Sequence, residues 1–367
     1  MKKQTPISNE SHKSPTKRRF FQLDGGPHHP LLFLLLSCFC LFVTGCGNGM
    51  LEEDSGHYQI VPLNKYLPNP QLKLDKGKSL HSLKSYEKLK TPFKGTPFTK
   101  RKSTLPKIIA HRGASGVAPE NTMIAGKKAL MMGAHAWEFD VRITKDSKLV
   151  LMHDRSLKRT TNVKEAFPKR APWYVESFTS SELNDLSNGS WFPAKSEADE
   201  IVFEDEQIAS LDTALRWTKR VRWRAFVELK YSRDVCTPAY YAKKVYESLK
   251  RTQTTKDVLI ISFSGKVLQE LKKLDKSVQT GLLYSRTFAA PVKKVKALQL
   301  SALLLNKRVV AKYPIQKLQR AGVKVFTYTA NKMIDLKRLS TLGLDGIITD
   351  YPDRLKKLNA QRSRFSF

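Results

Sequence analysis

The chain has 367 residues, 41% of them hydrophobic, so it is long enough to bury the core of one large domain with appendages. Its formal net charge is +32, yet neither a nucleic-acid-binding module nor an aromatic stacking pattern accompanies the basic residues. This argues against nucleic acid as a partner. The lysines and arginines are scattered along the chain. Two interpretations stay open: a solvated basic surface, or attraction to anionic lipid or an anionic substrate.

The N-terminus is predicted to be a targeting segment. A polar stretch that ends in three basic residues precedes the apolar run LLFLLLSCFCLFVTGC, from Leu31 to Cys46. This run is short for a membrane span and has the length of a signal-peptide core. Its end, VTGC, resembles the bacterial lipobox, in which small residues precede a cysteine that becomes acylated. We expect residues 1–46 to be a lipoprotein signal peptide with lipidation at Cys46. The alternative is an ordinary anchor helix with an incidental cysteine.

The segment that follows is predicted to be a basic tether. Residues 47 to about 105 carry eleven Lys/Arg against five Asp/Glu, with repeated prolines and glycines and little periodicity. This composition favours an extended or only partly ordered chain. Two acyl chains on Cys46 would hold the protein on a membrane of the bacterial cell envelope.

Only Cys236 lies beyond the leader, so we expect no internal disulfide and interpret Cys236 as structural.

From Lys107 onward, short β-rich apolar runs alternate with stretches whose apolar residues recur three and four positions apart. Regular alternation of strand and helix predicts an α/β fold with a parallel sheet. Eight such runs predict a closed (β/α)8 TIM barrel over residues 106–360. The runs are KIIA, WEFDV, AFVELK, VLIISF, TGLLY, ALLLN, KVFTYT and GIIT.

One further apolar run, LVLMHD, follows the second predicted strand after only a short Lys-Asp-Ser turn. A parallel crossover needs a dozen or more residues, so this run is predicted to pair back as a hairpin outside the barrel. Residues 154–209 are too long for a βα loop and contain Trp173 and Trp191. We expect them to form a small insertion over the strand ends, where the active sites of barrels lie.

Polar residues follow the first three predicted barrel strands and the hairpin strand. Because the carboxyl ends of parallel strands share one end of a barrel, these side chains should converge. Residues two apart in a strand also point to the same side. The set comprises His111 and Arg112 after the first strand, Glu138 and Asp140 on the second, Glu228 and Lys230 on the third, and His153 on the hairpin strand.

These residue types together indicate phosphodiester cleavage. Three carboxylates in an apolar barrel repel one another unless a cation lies among them, and oxygen ligands select a hard ion such as Ca²⁺ or Mg²⁺. Two histidines beside such an ion can supply a base and an acid. Arg112 and Lys230 supply fixed positive charge for a phosphate. This combination is typical of metal-assisted hydrolysis.

Each of these residues also has an ordinary structural interpretation. A single histidine beside a strand is more often a hydrogen-bonded structural residue, and a lone Glu-x-Asp or Glu-x-Lys pair is common. Glu120 and Asn121 could cap a helix after Pro119, since acidic residues favour the first turn of a helix. The functional interpretation depends on all of these side chains falling at strand ends together.

The motifs HRGASGVAPENT, EFDVRITKDSKLVLMHD, LKRTTN, VELK and DGIITDYPD resemble those of the glycerophosphodiester phosphodiesterase family, with the family's spacing from His111 to about Asp353. The family usually has a tryptophan where this chain has Tyr328, in the motif YTAN. The resemblance therefore implies an aromatic wall that is preserved but narrowed, and it leaves the leaving-group preference open. The resemblance implies a barrel phosphodiesterase. It implies metal ligation by Glu138, Asp140 and Glu228, acid/base catalysis by His111 and His153, phosphate binding by Arg112 and Lys230, and a site shaped by Glu120 and Asn121.

The expected function is therefore metal-dependent hydrolysis of glycerophosphodiesters to glycerol 3-phosphate and an alcohol, by an enzyme anchored to a membrane through lipid and a basic surface. Two alternatives stay open. One is a phospholipase D-like cleavage of lysophospholipids, which membrane anchoring favours. The other is a lipoprotein that binds phosphodiesters without cleaving them, although a mere binder has no need of an acid/base pair.

Overall fold

The computed structural model describes residues 49–54, 57–62, 105–193, 203 and 205–364, and these fall into two compact units. The first unit contains the strands β1 (Gly49–Asp54) and β2 (His57–Pro62), which pair as an antiparallel hairpin. This hairpin lies inside the segment predicted to be a tether. In the sequence, Ser55-Gly56 stands between the two strands. This dipeptide is common in turns and could have indicated a hairpin. The predicted signal peptide, Cys46 and the remainder of the tether lie outside the described residues.

The second unit is built on nine strands. Their bounds are β3 (Lys107–Ala110), β4 (Ala136–Ile143), β5 (Leu149–Leu151), β6 (Ala225–Leu229), β7 (Val258–Ser262), β8 (Thr280–Tyr284), β9 (Ala302–Asn306), β10 (Lys324–Tyr328) and β11 (Gly346–Thr349).

Eight of these strands pair in parallel as a closed cylinder, in the order β3-β11-β10-β9-β8-β7-β6-β4, and β4 returns to pair with β3. The predicted (β/α)8 barrel is therefore confirmed. β5 pairs only with β4, in the antiparallel sense, with Val141 opposite Leu151. The short turn between β4 and β5 leaves no room for a crossover, and the prediction of a hairpin outside the barrel is confirmed as well.

Ten helices connect and cover the described strands: α1 (Met123–Met131), α2 (Val163–Ala166), α3 (Ser180–Asn184), α4 (Leu211–Arg220), α5 (Pro238–Thr252), α6 (Gly265–Leu274), α7 (Pro291–Ala297), α8 (Ile315–Arg320), α9 (Met333–Ser340) and α10 (Pro352–Arg364). Five of them begin at a Ser or Thr whose side chain accepts a hydrogen bond from a backbone N–H of the first turn: Thr122, Thr179, Ser210, Thr237 and Ser264. These N-caps satisfy donors that a helix start would leave unpaired. Among the described residues, no helix combines the length and apolar character that crossing a bilayer requires.

The barrel interior is filled by apolar side chains contributed by all eight barrel strands. The cluster comprises Ile109, Ala136, Phe226, Leu259, Ile261, Leu283, Ala302, Leu304, Phe326 and Ile348. Ala136 and Phe226 belong to this cluster, and residues two further along each strand point to the same interior. Those residues are Glu138 and Glu228. The apolar core therefore ends where the polar residues at the strand ends begin.

The insertion between β5 and α4 has a core of its own, which it shares with the hairpin. Its buried members are Val150, Met152, Leu157, Val163, Val175, Phe178, Leu183, Leu186 and Ile208. Two ion pairs join the insertion to loops at the strand ends: Arg155 to Asp234 at 2.7 Å, and Arg159 to Glu120 at 2.7 Å. The described part of the insertion therefore contacts the end of the barrel at which the polar residues converge.

Candidate active site at the carboxyl ends of the strands

Three buried carboxylates meet at the top of the barrel core. Glu138 and Asp140 extend from β4, and Glu228 extends from β6, where it pairs in register with Asp140. One oxygen from each carboxylate lies within 4.8 Å of the other two. We call these three residues the acidic triad. The structure thus brings together the three residues predicted as metal ligands.

The acidic triad fits a divalent cation. Among the described residues, no partner reaches Glu138 Oε1, whereas Asp140 Oδ1 and Glu228 Oε1 each lie against Lys230 Nζ, at 3.0 Å and 2.5 Å. Burial, and then the charge of Asp140, raise the pKa of Glu138 and of Glu228. A buried carboxylate oxygen without a partner is costly, and a hard cation would satisfy that of Glu138 and add to the lysine contact of the other two oxygens. The triad could therefore hold a metal ion such as Ca²⁺ or Mg²⁺.

Asp140 behaves differently from its two neighbours. Burial alone would raise its pKa, but the positive charges of Lys230 and Arg112 outweigh burial and hold the pKa far below the usual range for an aspartate. Asn121 fixes the same carboxylate in place, because its Nδ2 donates to Asp140 Oδ2 at 2.9 Å and its Oδ1 accepts from Asp140 N at 2.9 Å. Asp140 is thus an ionised and oriented ligand group.

The turn after β3 places Arg112 beside the acidic triad. Arg112 has φ 55° and Gly113 has φ 82°, so the chain turns sharply through two left-handed residues. This turn aims the Arg112 N–H at Glu138 Oε2, to which it donates at 2.9 Å. A Cβ atom on Gly113 would lie 2.5 Å from the backbone carbon of Ala125, so the close approach of α1 requires glycine here.

The Arg112 guanidinium lies between two carboxylates. Its Nη1 donates to Glu120 Oε1 at 2.8 Å, and its Nε lies 3.2 Å from Asp140 Oδ2. Burial would lower the pKa of Arg112, but Asp140 and Glu120 raise it above its ordinary value. Burial would likewise lower the pKa of Lys230, which Asp140 and Glu228 raise. Two permanent cations therefore border the acidic triad, as a phosphate site requires.

His111, directly after β3, is held by an aspartate from the far end of the chain. Its Nδ1 lies 2.6 Å from Asp350 Oδ1, and Asn331 Nδ2 donates to the other oxygen of the same carboxylate. Burial lowers the pKa of His111, but the hydrogen bond with Asp350 and the charge of Glu138 outweigh burial and raise it. His111 is therefore oriented by Asp350, and its raised pKa favours the protonated form.

His153, which follows β5, has the opposite tendency. Its Nδ1 lies 2.6 Å from Asp154 Oδ1, and Arg142 Nε donates to its backbone carbonyl at 2.9 Å. Burial lowers the pKa of His153, although the charge of Asp140 opposes this effect. One site thus holds two aspartate-oriented histidines whose environments shift their pKa values in opposite directions.

Arg159 joins the two sides of the site. Its Nη1 and Nη2 donate to Glu120 at 2.9 Å and 2.7 Å, and its Nε donates to Asp154 Oδ2 at 2.6 Å. Glu120 holds Arg112 and Asp154 holds His153, so one guanidinium braces both. The hydrogen bonds and charge of Arg159 and Arg112 outweigh burial and lower the pKa of Glu120.

Sequence reasoning identified the two histidines but missed three residues that orient the site: Asp154, Arg159 and Asp350. Asp350 was accessible to the same rule that found the others, since it directly follows β11 at the carboxyl end of the barrel. Asp154 ends the motif EFDVRITKDSKLVLMHD, and Arg159 lies in the motif LKRTTN. Nothing in the sequence indicates which carboxylates an arginine of the insertion contacts.

Tyr328 ends β10 and packs on the barrel core. Its ring meets that of Phe263 edge to face at 6.2 Å, and its hydroxyl is buried with no hydrogen-bond partner among the described residues. Burial, and then the charge of Glu228, raise the pKa of the Tyr328 hydroxyl. Tyr328 thus places an aromatic ring at the barrel mouth, close enough to the acidic triad for the charge of Glu228 to affect its hydroxyl.

Fold and site together define the class of protein: a (β/α)8 barrel enzyme that hydrolyses phosphate diesters. A model of the Glycerophosphoryl diester phosphodiesterase family matches residues 111–354. The chain belongs to this family.

Relatives of known sequence and structure agree. The chain is 32% identical to a glycerophosphodiester phosphodiesterase of Caldanaerobacter subterraneus, over 68% of this chain and 96% of that protein. It is 31% identical to another from Bacillus altitudinis, over 70% and 98%. Among solved structures, an Oleispira antarctica phosphodiesterase in complex with the product sn-glycerol-3-phosphate has a TM-score of 0.59 and 26% identity, over 69% of this chain and 96% of that one.

Proposed function

We propose that this enzyme hydrolyses glycerophosphodiesters to glycerol 3-phosphate and an alcohol, with a divalent cation, Ca²⁺ or Mg²⁺, held by the acidic triad. The observation that carries the proposal is the arrangement at the barrel mouth: two aspartate-oriented histidines next to a cluster of three buried carboxylates. The sn-glycerol-3-phosphate complex of the Oleispira antarctica phosphodiesterase supports the product.

The opposite pKa shifts of the two histidines suggest their roles. A general base must be neutral before the reaction and a general acid must be protonated. The pKa of His153 is lowered by burial and that of His111 is raised, chiefly by Asp350 against the effect of burial. We assign His153 as the base that takes a proton from the nucleophile, and His111 as the acid that protonates the leaving alkoxide oxygen.

Arg112 and Lys230 would bind the non-bridging oxygens of the phosphodiester. Both already lie against the carboxylates that would hold the cation, so a substrate phosphate at the same place would meet positive charge from two sides. The guanidinium of Arg112 can grip two oxygens in one plane, whereas the ammonium of Lys230 acts as a point charge. When bound, a divalent cation supplies Lewis-acid polarisation of the phosphoryl oxygen. Tyr328 would line the pocket for the alcohol.

Two nucleophiles are compatible with these roles. A water molecule would give glycerol 3-phosphate directly, whereas a glycerol hydroxyl would first give a cyclic phosphate. Detection of the cyclic ester in single-turnover reactions selects the second route, and incorporation of labelled solvent oxygen without a cyclic species selects the first.

The decisive experiment compares two substrates. We expect turnover of glycerophosphocholine, release of glycerol 3-phosphate, and loss of both in EDTA. Preferential cleavage of lysophosphatidylcholine would instead favour the phospholipase D-like alternative. Tight binding of glycerophosphocholine without turnover, in the presence of Ca²⁺ or Mg²⁺, would identify a binding protein and overturn the proposal.

We also propose that the enzyme is lipid-anchored to a membrane of the bacterial cell envelope through Cys46. The support is in the sequence: an apolar run that ends in VTGC, followed by a basic segment. Cys46→Ser should leave an unprocessed precursor that cannot be labelled with palmitate. Normal processing and labelling of this variant would defeat the lipobox interpretation, whatever the substrate proves to be.

A further inference from the structure

One sector of the barrel mouth is strongly and one-sidedly charged. The segments that follow β7, β8, β9 and β10, residues 263–266, 285–294, 307–317 and 329–334, contain nine Lys/Arg and no Asp/Glu. We call these four segments the basic rim. The carboxyl ends of all eight barrel strands face one way, so the basic rim lies at the same end of the barrel as the acidic triad.

Eight of the nine cations of the basic rim are exposed, and few of the nine are neutralised. Among the described residues, no carboxylate lies within ion-pair distance of Arg308, Lys312 or Lys332, and all three side chains are exposed. The first acidic residue beyond the rim, Asp335, is already paired with Lys307 at 2.8 Å. The positive charge of the rim is therefore exposed to solvent and is mostly not neutralised by carboxylates of the protein.

Two large apolar side chains project from the same rim. Ile334, in the first turn of α9, is 75% exposed, and Phe263, directly after β7, is 52% exposed. A single exposed apolar residue is unremarkable on a protein surface. These two, however, stand among cations at one end of the barrel. Apolar tips surrounded by lysine and arginine are the composition that binds the interface of an anionic bilayer.

We infer that the basic rim rests on an anionic lipid bilayer, with Ile334 inserted at the boundary between the headgroups and the acyl chains. This inference rests on the proposed membrane location but not on the proposed chemistry. It commits to lipid because an exposed isoleucine is stabilised by burial among acyl chains, whereas a nucleic-acid backbone offers only phosphates to the surrounding cations. In this orientation the mouth of the barrel faces the membrane surface.

The test compares two tryptophan variants of the full chain on vesicles that contain brominated lipid, which quenches tryptophan fluorescence on contact. Ile334→Trp reports on the rim. Leu274→Trp is the matched control, since Leu274 is 44% exposed and lies at the last residue of α6, toward the opposite end of the barrel. We expect quenching of Ile334→Trp on phosphatidylglycerol vesicles, little on phosphatidylcholine vesicles, and no added quenching for Leu274→Trp on either. Equal quenching of the two variants, or none, overturns the inference.

Charge removal gives a second, independent arm. In the Ile334→Trp background, Arg308→Gln, Lys312→Gln and Lys332→Gln together should raise the phosphatidylglycerol concentration for half-maximal quenching by about 100-fold, since each cation near a membrane surface contributes about fivefold. The matched control removes three exposed cations from the last turns of α5, α7 and α8: Lys250→Gln, Lys296→Gln and Arg320→Gln. It should shift that concentration by no more than about twofold. An equal shift in both triple variants overturns the inference, because any basic surface would then serve.

Other measurements on the same samples separate the possible failures. Chain that sediments with vesicles while Ile334→Trp stays unquenched is membrane-bound in another orientation, which overturns the inference and spares the anchor. A duplex DNA that binds the Ile334→Trp chain, with loss of binding in the rim triple variant and no lipid quenching, would make the rim a nucleic-acid site. Turnover of glycerophosphocholine, which has no net charge, should be unchanged in the rim triple variant. Its absence from every variant and the parent chain would refute the proposed function instead.

Discussion

The two sides of the barrel mouth carry charge in different ways. On the side formed by the ends of β11, β3, β4 and β6, here called the catalytic side, charges are buried or half-buried and matched: Arg112 lies against Asp140, and His111 against Asp350. On the basic rim, cations are exposed and mostly unmatched. Burying a charge costs several kcal/mol unless a partner compensates it, whereas an exposed charge is solvated and needs none. Each charged residue on the catalytic side therefore depends on a specific partner. The basic rim depends only on an excess of positive charge.

The largest effect expected from this contrast concerns the acidic triad. Removal of divalent cations should abolish turnover, and Ca²⁺ or Mg²⁺ should restore it, because the three carboxylates need a cation to coexist in their ionised forms. Asp140→Asn should raise the metal concentration needed for half-maximal activity, since it removes one charge from the ligand set. Full activity after dialysis into excess EDTA would contradict the prediction.

A large effect is also expected for the two histidines. Proton-transfer groups typically contribute about 100- to 10,000-fold to rate, so His111→Ala and His153→Ala should each lower kcat by that order with little change in Tm. The double variant should be little worse than either single variant, because the two act as a unit. Lys332→Ala, in the basic rim, should leave kcat unchanged. A destabilised but active His111→Ala protein would show that His111 is structural.

An intermediate effect is expected for Arg159, which contacts both sides of the site through Glu120 and Asp154. Arg159→Lys keeps the charge but cannot hold Glu120 and Asp154 at once, because the planar fork is lost. Residues that orient ligand groups typically contribute about 10- to 100-fold, so kcat should fall within that range while KM changes less. Arg308→Lys provides the matched exchange in the basic rim and should be silent. Equal kinetics for the two variants would refute the bracing role.

The smallest effect expected is a shift in the pH profile of kcat/KM when Asp350 is replaced. With His153 as base and His111 as acid, kcat/KM should decline at low pH as His153 gains a proton and at high pH as His111 loses one. The hydrogen bond with Asp350 raises the pKa of His111 against the effect of burial. Asp350→Asn removes that negative charge, so the pKa of His111 should fall and the alkaline limb should move to lower pH. An alkaline limb that stays in place while the rate falls would assign Asp350 a structural role only.

Much of this architecture was predictable from the sequence because the barrel imposes simple rules. KIIA, TGLLY, ALLLN and GIIT coincide with β3, β8, β9 and β11 to the residue, since buried parallel strands are continuous apolar runs between polar loops. The convergence of Glu138 and Glu228 followed from the common direction of the strands. The turn length alone excluded LVLMHD from the barrel.

The missed features depend on tertiary pairing. Nothing local distinguishes Arg159, which spans Asp154 and Glu120, from Arg155, which pairs instead with Glu176 and Asp234. The basic rim was equally hidden, because its four segments are separated in the chain by helices and strands. Scattered lysines in a sequence carry no information on which of them face the same way. Only the closed barrel gathers them on one sector.

The contact between His111 and Asp350 spans 239 positions of sequence, and the strands that precede these two residues, β3 and β11, are the pair that closes the cylinder. A chain is synthesised from its N-terminus, so His111 is made 239 residues before Asp350, the carboxylate that orients it. The alignment of His111 therefore requires a chain that extends at least to Asp350. A nascent or C-terminally trimmed product that ends before Gly346 would contain the acidic triad and both histidines, yet it would be an open sheet without an aligned acid.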